Sequence, residues 1–212
     1  MLNTKPDPFY ITSVRLGDIS SDFTLLAKRS SIIAWDIETT GLDWKSDSIS
    51  TCQVYVPDKA IEVVQIESDI PESLLCLLKD ENVKKVFHHA MFDLRFMYFQ
   101  WGIVPSNIAC TKIVSKILQP QIKDHRLKTL LKKKLSIKIN KDLAISDWSV
   151  KTLKPEQIRY AATDVIFLPR LLNQLEIELK KKDLLQLAHA CFKHVPTRVI
   201  LEVEEYGDVF TY

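Results

Sequence analysis

Residues 31–36, Ser-Ile-Ile-Ala-Trp-Asp, run apolar up to a carboxylate and are rich in β-branched and aromatic side chains. A run with no polar alternation suits a strand buried on both faces, inside a sheet covered by helices. That run ends at Asp36, and Glu38 follows two residues later. Strand side chains alternate between faces, so these two acids leave the same face. Carboxylates held side by side repel, and a hard divalent cation that prefers oxygen ligands relieves the repulsion. The pair reads as half of a metal site. A solvated strand face is the ordinary alternative, so the decision falls to distant segments.

Around this strand, short β-type runs alternate with helical ones. Residues 50–56 and 60–66 flank the turn signal Pro57-Asp58 and predict an antiparallel hairpin continuing from the first strand. A helix is expected over 71–79, a short strand near Val86, a helix over 92–101 and a strand near Ile108. From Thr111 onward nearly everything reads as helix. The pattern is α/β: a mixed five-stranded sheet flanked by helices, with a helical carboxyl-terminal half. Neither an internal repeat nor a low-complexity stretch nor a linker stands out, so residues 1–212 read as a single domain.

Two further segments carry acids. In His88-His89-Ala90-Met91-Phe92-Asp93-Leu94, Asp93 falls in the first turn of the expected helix, where a carboxylate also favours the helix dipole. In 156–164, Tyr160 and Asp164 are four apart and share one helix face. A tyrosine at that position also suits a helix core.

Taken in this order and at these separations, Asp36, Glu38, Asp93, Tyr160 and Asp164 resemble the motifs of the DEDD superfamily of 3′-to-5′ exonucleases. The D-x-E pair matches the first motif, Asp93 the second, and Tyr160 with Asp164 the Y-x-x-x-D third motif of the RNase D-like branch. The stretch Ser146-Asp147-Trp148-Ser149, followed by residues 153–165, is similar to the S-D-W…E-Q…Y-A-A-x-D-V block of that branch. One departure is visible: His89 stands where many relatives carry asparagine. The resemblance implies an RNase H-like fold and two divalent cations, Mg²⁺ or Mn²⁺, held by Asp36, Glu38, Asp93 and Asp164. One ion would activate a water and the other would stabilise the leaving 3′ oxygen. Tyr160 would orient the water, since a phenol with a pKa of about 10 is a weak base at neutral pH. It also implies release of nucleoside 5′-monophosphates, and substrate contacts from Thr39, Gly41, Leu42, His89, Phe92 and Trp148.

RNase D relatives carry helical accessory domains after the nuclease domain, whereas the segments around Cys110–Lys116, Asp124-His125-Arg126 and 190–210 resemble the compact nano-RNase C type. That likeness adds His125 and Arg126 as candidates for holding a substrate phosphate, against the alternative of an inert exposed loop. It implies short RNA as substrate and a homo-oligomer, an octameric ring being the form in view. The apolar stripe Val199, Leu201, Val203 and the aromatic end Phe210 and Tyr212 would supply part of the contact, or else cover the chain's own core. Two alternatives stay open: an exodeoxyribonuclease of DNA repair or proofreading, which uses the same acids, and an inert nucleic-acid-binding module, which would be expected to lack one of them.

Charge adds little, because 29 basic and 27 acidic side chains leave a formal net charge of +2. Locally, Lys123, Arg126, Lys128, Lys132, Lys133, Lys134, Lys138 and Lys141 gather over 19 residues. They read either as phosphate contacts or as the solvated face of a helix whose apolar stripe is Leu127, Leu130, Leu131 and Leu135. The four cysteines, Cys52, Cys76, Cys110 and Cys191, have neither C-x-x-C nor zinc spacing. With no apolar signal segment at the amino terminus and no membrane-spanning run, the expectation is a cytoplasmic protein without a membrane partner.

Overall fold

Six strands form one mixed sheet, in the order β1-β4-β3-β2-β5-β6, in the computed structural model of the protein, which describes residues 11–140, 143 and 146–211. They are β1 (Ile11–Leu16), β2 (Ile32–Thr39), β3 (Ile49–Val56), β4 (Ala60–Gln65), β5 (Lys84–Phe87) and β6 (Ile108–Cys110). Only β3 runs against its neighbours; the other five strands point the same way. Their carboxyl ends therefore share one edge of the sheet, the edge at which α/β folds bind ligands.

Eight α-helices lie among the described residues: α1 (Ser21–Lys28), α2 (Glu72–Lys79), α3 (Ala90–Trp101), α4 (Thr111–Leu118), α5 (Leu127–Leu135), α6 (Pro155–Ile166), α7 (Leu168–Lys181) and α8 (Leu185–Val203). Pro155 opens α6, where a missing N–H costs nothing. Gly102 ends α3 at φ 60°, the left-handed closure that glycine adopts without strain. α6 lies against β2, β3 and β4, and α7 against β2 and β5, so the central strand is covered as its apolar run requires. Ile33, Ala34 and Trp35 are fully buried there, with Trp35 stacked on Phe87 at 6.4 Å.

The expected five strands are one too few. β1 is an edge strand that leaves Val14 and Leu16 exposed, so it lacks the apolar run that marks β2. Hydrogen bonding ties this part of the chain down instead. Glu62 of β4 is buried and accepts from Ser13 Oγ at 3.1 Å, Ser20 N at 2.8 Å and Ser20 Oγ at 2.7 Å. The Ser20 hydroxyl also caps α1 by accepting from Phe23 N.

Over the lysine-rich stretch, Leu127, Leu130 and Leu131 are buried while Lys128, Lys132 and Lys133 are exposed. Lys134 turns back to Glu178 at 2.6 Å. Val199 is buried in the chain's own core, and Phe210 is exposed. Lys141, Tyr212 and the amino-terminal residues 1–10 lie outside the described residues. Among those described, no helix is long and apolar enough to cross a membrane.

Candidate active site

Asp36 and Glu38 occupy the carboxyl end of β2, and Asp164 comes from α6, which packs across that strand. Carboxylate oxygens of these three residues lie within 4.8 Å of one another. On the sheet side, the buried Gln53 of β3 donates from Nε2 to Asp36 Oδ2 at 3.1 Å, while its own Oε1 accepts from Thr51 Oγ1 at 3.1 Å. Asp93, in the first turn of α3, stands outside that trio. Its Oδ1 accepts from Ile37 N at 3.3 Å, and its buried Oδ2 has no hydrogen-bond donor among the described residues. Burial and the neighbouring Asp36 hold the Asp93 carboxyl well above the usual carboxylate range.

The donor set is made of oxygens alone, gathers like charges, and contains a buried carboxylate oxygen without a donor. Among the described residues, no lysine or arginine lines the cleft above it. Such a set suits a hard divalent cation, which supplies positive charge between like-charged oxygen donors.

Tyr160 sits one helical turn before Asp164 and bonds to its carboxylate. Burial, together with Asp164, Glu38 and Asp36, pushes the phenol far above its ordinary range. A phenol raised in this way is suited to orienting a water and passing a proton rather than holding a standing charge. Gln157 explains the nearby Ser-Asp-Trp block. Its side chain accepts from Lys154 N at 3.0 Å and donates to Asp147 O at 2.9 Å, pinning residues 146–148 to the start of α6. Trp148 is thereby buried with its ring centroid 5.9 Å from that of Tyr160.

Asp36, Glu38, Asp164, Tyr160 and Trp148 line a cleft of about 700 Å³, which Asp93 does not line. Of the expected substrate contacts, Thr39, Gly41, Leu42, His89, Phe92 and Trp148 all line it. Thr39 Oγ1 donates to Gly41 O at 2.5 Å, and the His89 and Phe92 rings stack at 6.0 Å. His125 and Arg126 are not brought into the cleft wall. His125, the candidate phosphate holder, is buried with Nδ1 2.8 Å from Ser115 Oγ, so the alternative of an exposed loop does not hold for it either. Arg126 is exposed and donates to both oxygens of Asp124, at 2.9 and 2.8 Å. Sequence reasoning passed over Thr40, His88, Leu127 and Ser146 in the lining and Gln53 beneath it. Gln53 carried a signal as an amide inside the apolar run of β3, and His88 and Ser146 stand within the motif segments themselves.

Partial burial and the cations Lys112, Arg95 and Lys116 push His89 down to about 4. Its ordinary value is 6.5, so between pH 6.5 and 4 the unfolded chain binds the proton first, and stability falls with pH across that window before levelling off. The variant His89→Asn is expected to flatten this part of a curve of melting temperature against pH. An unaltered slope would mean that the ring titrates normally.

Fold and cleft together define an RNase H-like exonuclease. Residues 12–180 match the 3′-5′ exonuclease family, and the chain belongs to it. Among solved structures it is similar to NrnC of Brucella melitensis, with a TM-score of 0.87 and 33% identity over 94% of this chain and 97% of that one. Among curated proteins it is 30% identical over 148 residues to DNA polymerase I of Aquifex aeolicus, covering 70% of this chain and 24% of the polymerase. It is 29% identical over 131 residues to ribonuclease D of Nitrobacter hamburgensis, covering 61% of this chain and 34% of the ribonuclease. The chain thus spans only a quarter to a third of the length of these curated relatives.

Proposed function

We propose that the protein is a metal-dependent 3′-5′ exoribonuclease that releases nucleoside 5′-monophosphates from short RNA. The observation that carries this reading is the convergence of Asp36, Glu38 and Asp164 within 4.8 Å beside Tyr160 at the floor of an open cleft. In this reading Asp36, Glu38, Asp93 and Asp164 hold two divalent cations, Mg²⁺ or Mn²⁺. When bound, the cations activate the attacking water and stabilise the leaving 3′ oxygen. Tyr160 orients that water through its neutral hydroxyl, and Trp148 fixes the phenol ring. Leu42, Phe92 and His89 offer apolar and aromatic surface to the terminal bases, a form of contact that tolerates any base. The NrnC of Brucella melitensis has been solved with bound Mg²⁺ and bound to pGG, which supports both the cation and a short substrate for this similar chain.

Similarity to a DNA polymerase keeps a second reading in view, a 3′-5′ exodeoxyribonuclease. Matched RNA and DNA oligonucleotides of two to twenty nucleotides, digested side by side, decide between them. EDTA is expected to abolish nucleotide release and Mg²⁺ to restore it. Activity that persists in chelator, or products bearing a 3′-phosphate, would refute the metal mechanism.

The same reading covers a single exonuclease domain acting in the cytoplasm as a homo-oligomer, in which a ring would confine the cleft and favour short chains. Tyr206, Val209 and Phe210, all more than half exposed, offer apolar surface for the subunit contact. Light scattering coupled to gel filtration is expected to report a multiple of 24.5 kDa. A monomer at micromolar concentration would overturn the assembly.

A further inference from the structure

We propose that the carboxyl-terminal end of α8 holds one wall of the cleft in its binding position, with Arg95 as the positioning residue that links them. This inference rests on the cleft being a nucleic-acid site. The wall concerned is the loop of residues 40–48, which joins β2 to β3 and carries Gly41 and Leu42 into the cleft. Leu42 is 81% exposed, so its own packing does not hold it there. Inside the loop the bonds are local: Ser48 N donates to Thr40 Oγ1 at 2.9 Å, and Asp43 N to Asp47 Oδ2 at 2.9 Å. Gly41 lies so close to the Asp47 carboxylate that a side chain there would collide with it.

What fixes the loop to the body of the protein comes from far along the chain. The Arg95 guanidinium of α3 lies 4.6 Å from the centroid of the Trp44 ring. The same guanidinium donates from Nη1 to Glu202 Oε2 at 3.1 Å, on the last turns of α8. Glu202 is itself steadied by Arg198 Nε at 3.0 Å, and Lys45 pairs with Glu205 just beyond the helix. Arg95 thus has a carboxylate on one side and a loop aromatic on the other, and neither partner lines the acidic floor. A guanidinium over an aromatic face is a directional contact, strengthened here by partial burial and by an anchored counter-charge. With it, Leu42 is pre-placed for the substrate; without it, ordering the loop is deducted from binding. The chemistry on the floor is untouched, so the consequence falls on KM and not on kcat.

Three variants of the full chain, Arg95→Met, Glu202→Gln and Lys45→Ala, together with the double variant Arg95→Met/Glu202→Gln, test this. On a short RNA with Mg²⁺, Arg95→Met is expected to raise KM about tenfold, the size of a partly buried cation–π contact, with kcat within about twofold. The double variant should be no worse than Arg95→Met alone, because both changes break one link. Hydrogen exchange without metal or RNA should show faster exchange confined to residues 40–48. An unchanged KM together with unchanged exchange overturns the proposal, as does a fall in kcat at constant KM or full additivity in the double variant. Lys45→Ala removes an exposed pair, so it reports on the loop even if Arg95→Met folds poorly. A wild-type chain inert on RNA and DNA would refute the nuclease reading, while exchange in 40–48 would still decide the coupling.

Discussion

Replacing Asp36 or Asp164 by alanine is expected to lower the single-turnover rate of nucleotide release by about four orders of magnitude, about 5 kcal/mol on the barrier. Each residue contributes one of three carboxylates that approach within 4.8 Å, from β2 and from α6, and removing one leaves too few ligands for the cation the set would hold. Stability should move the other way. In metal-free buffer the three acids repel, so either alanine variant is expected to melt at or slightly above the wild-type temperature. Mg²⁺ should raise the melting temperature of the wild type and leave both variants unmoved, because only a folded state with an intact site gains binding energy. A drop of several degrees in metal-free buffer would assign these acids to folding instead.

For Tyr160→Phe the expected loss is about 10²-fold in single-turnover rate, the scale of a positioned proton-transfer group. Burial and the charges of Asp164, Glu38 and Asp36 push the phenol upward, so its contribution is orientation and proton passage within the cleft. Phenylalanine keeps the ring against Trp148, 5.9 Å away in the native structure, so the fold should be retained at a cost of about 1 kcal/mol for the lost hydrogen bond. Wild-type rates with a lowered melting temperature would make the tyrosine a packing residue. Comparing single-turnover rates with and without the hydroxyl across pH 6 to 9 adds a second reading. A rate lowered by a constant factor throughout fits a phenol that never ionises in this range, and a difference that grows with pH would require a phenolate.

Local chemistry made much of this protein legible. The uninterrupted run before Asp36 read as a covered strand, and the alternation of faces put Asp36 and Glu38 together. The four-residue spacing of Tyr160 and Asp164 placed both on one side of α6. β1 escaped because an edge strand with exposed Val14 and Leu16 has no periodicity to read, and its attachment depends on hydrogen bonds to Glu62, some fifty residues away. His125 looked like a loop residue beside Arg126, yet the structure buries it against Ser115, ten residues back on α4.

What the sequence determines by itself is which side chains share a strand face or a helix face, because backbone geometry repeats over two or over about 3.6 residues whatever lies around it. What only the tertiary structure decides is which faces meet. The approach of Asp164 to Asp36, across 128 residues of chain, is set by α6 packing over β2 and β3. The separate seat of Asp93 on Ile37 N and the clasp of Trp44 by Arg95 and Glu202 arise in the same way. Packing of distant surfaces is selected by burial and polar satisfaction of the whole chain, and no local period encodes it.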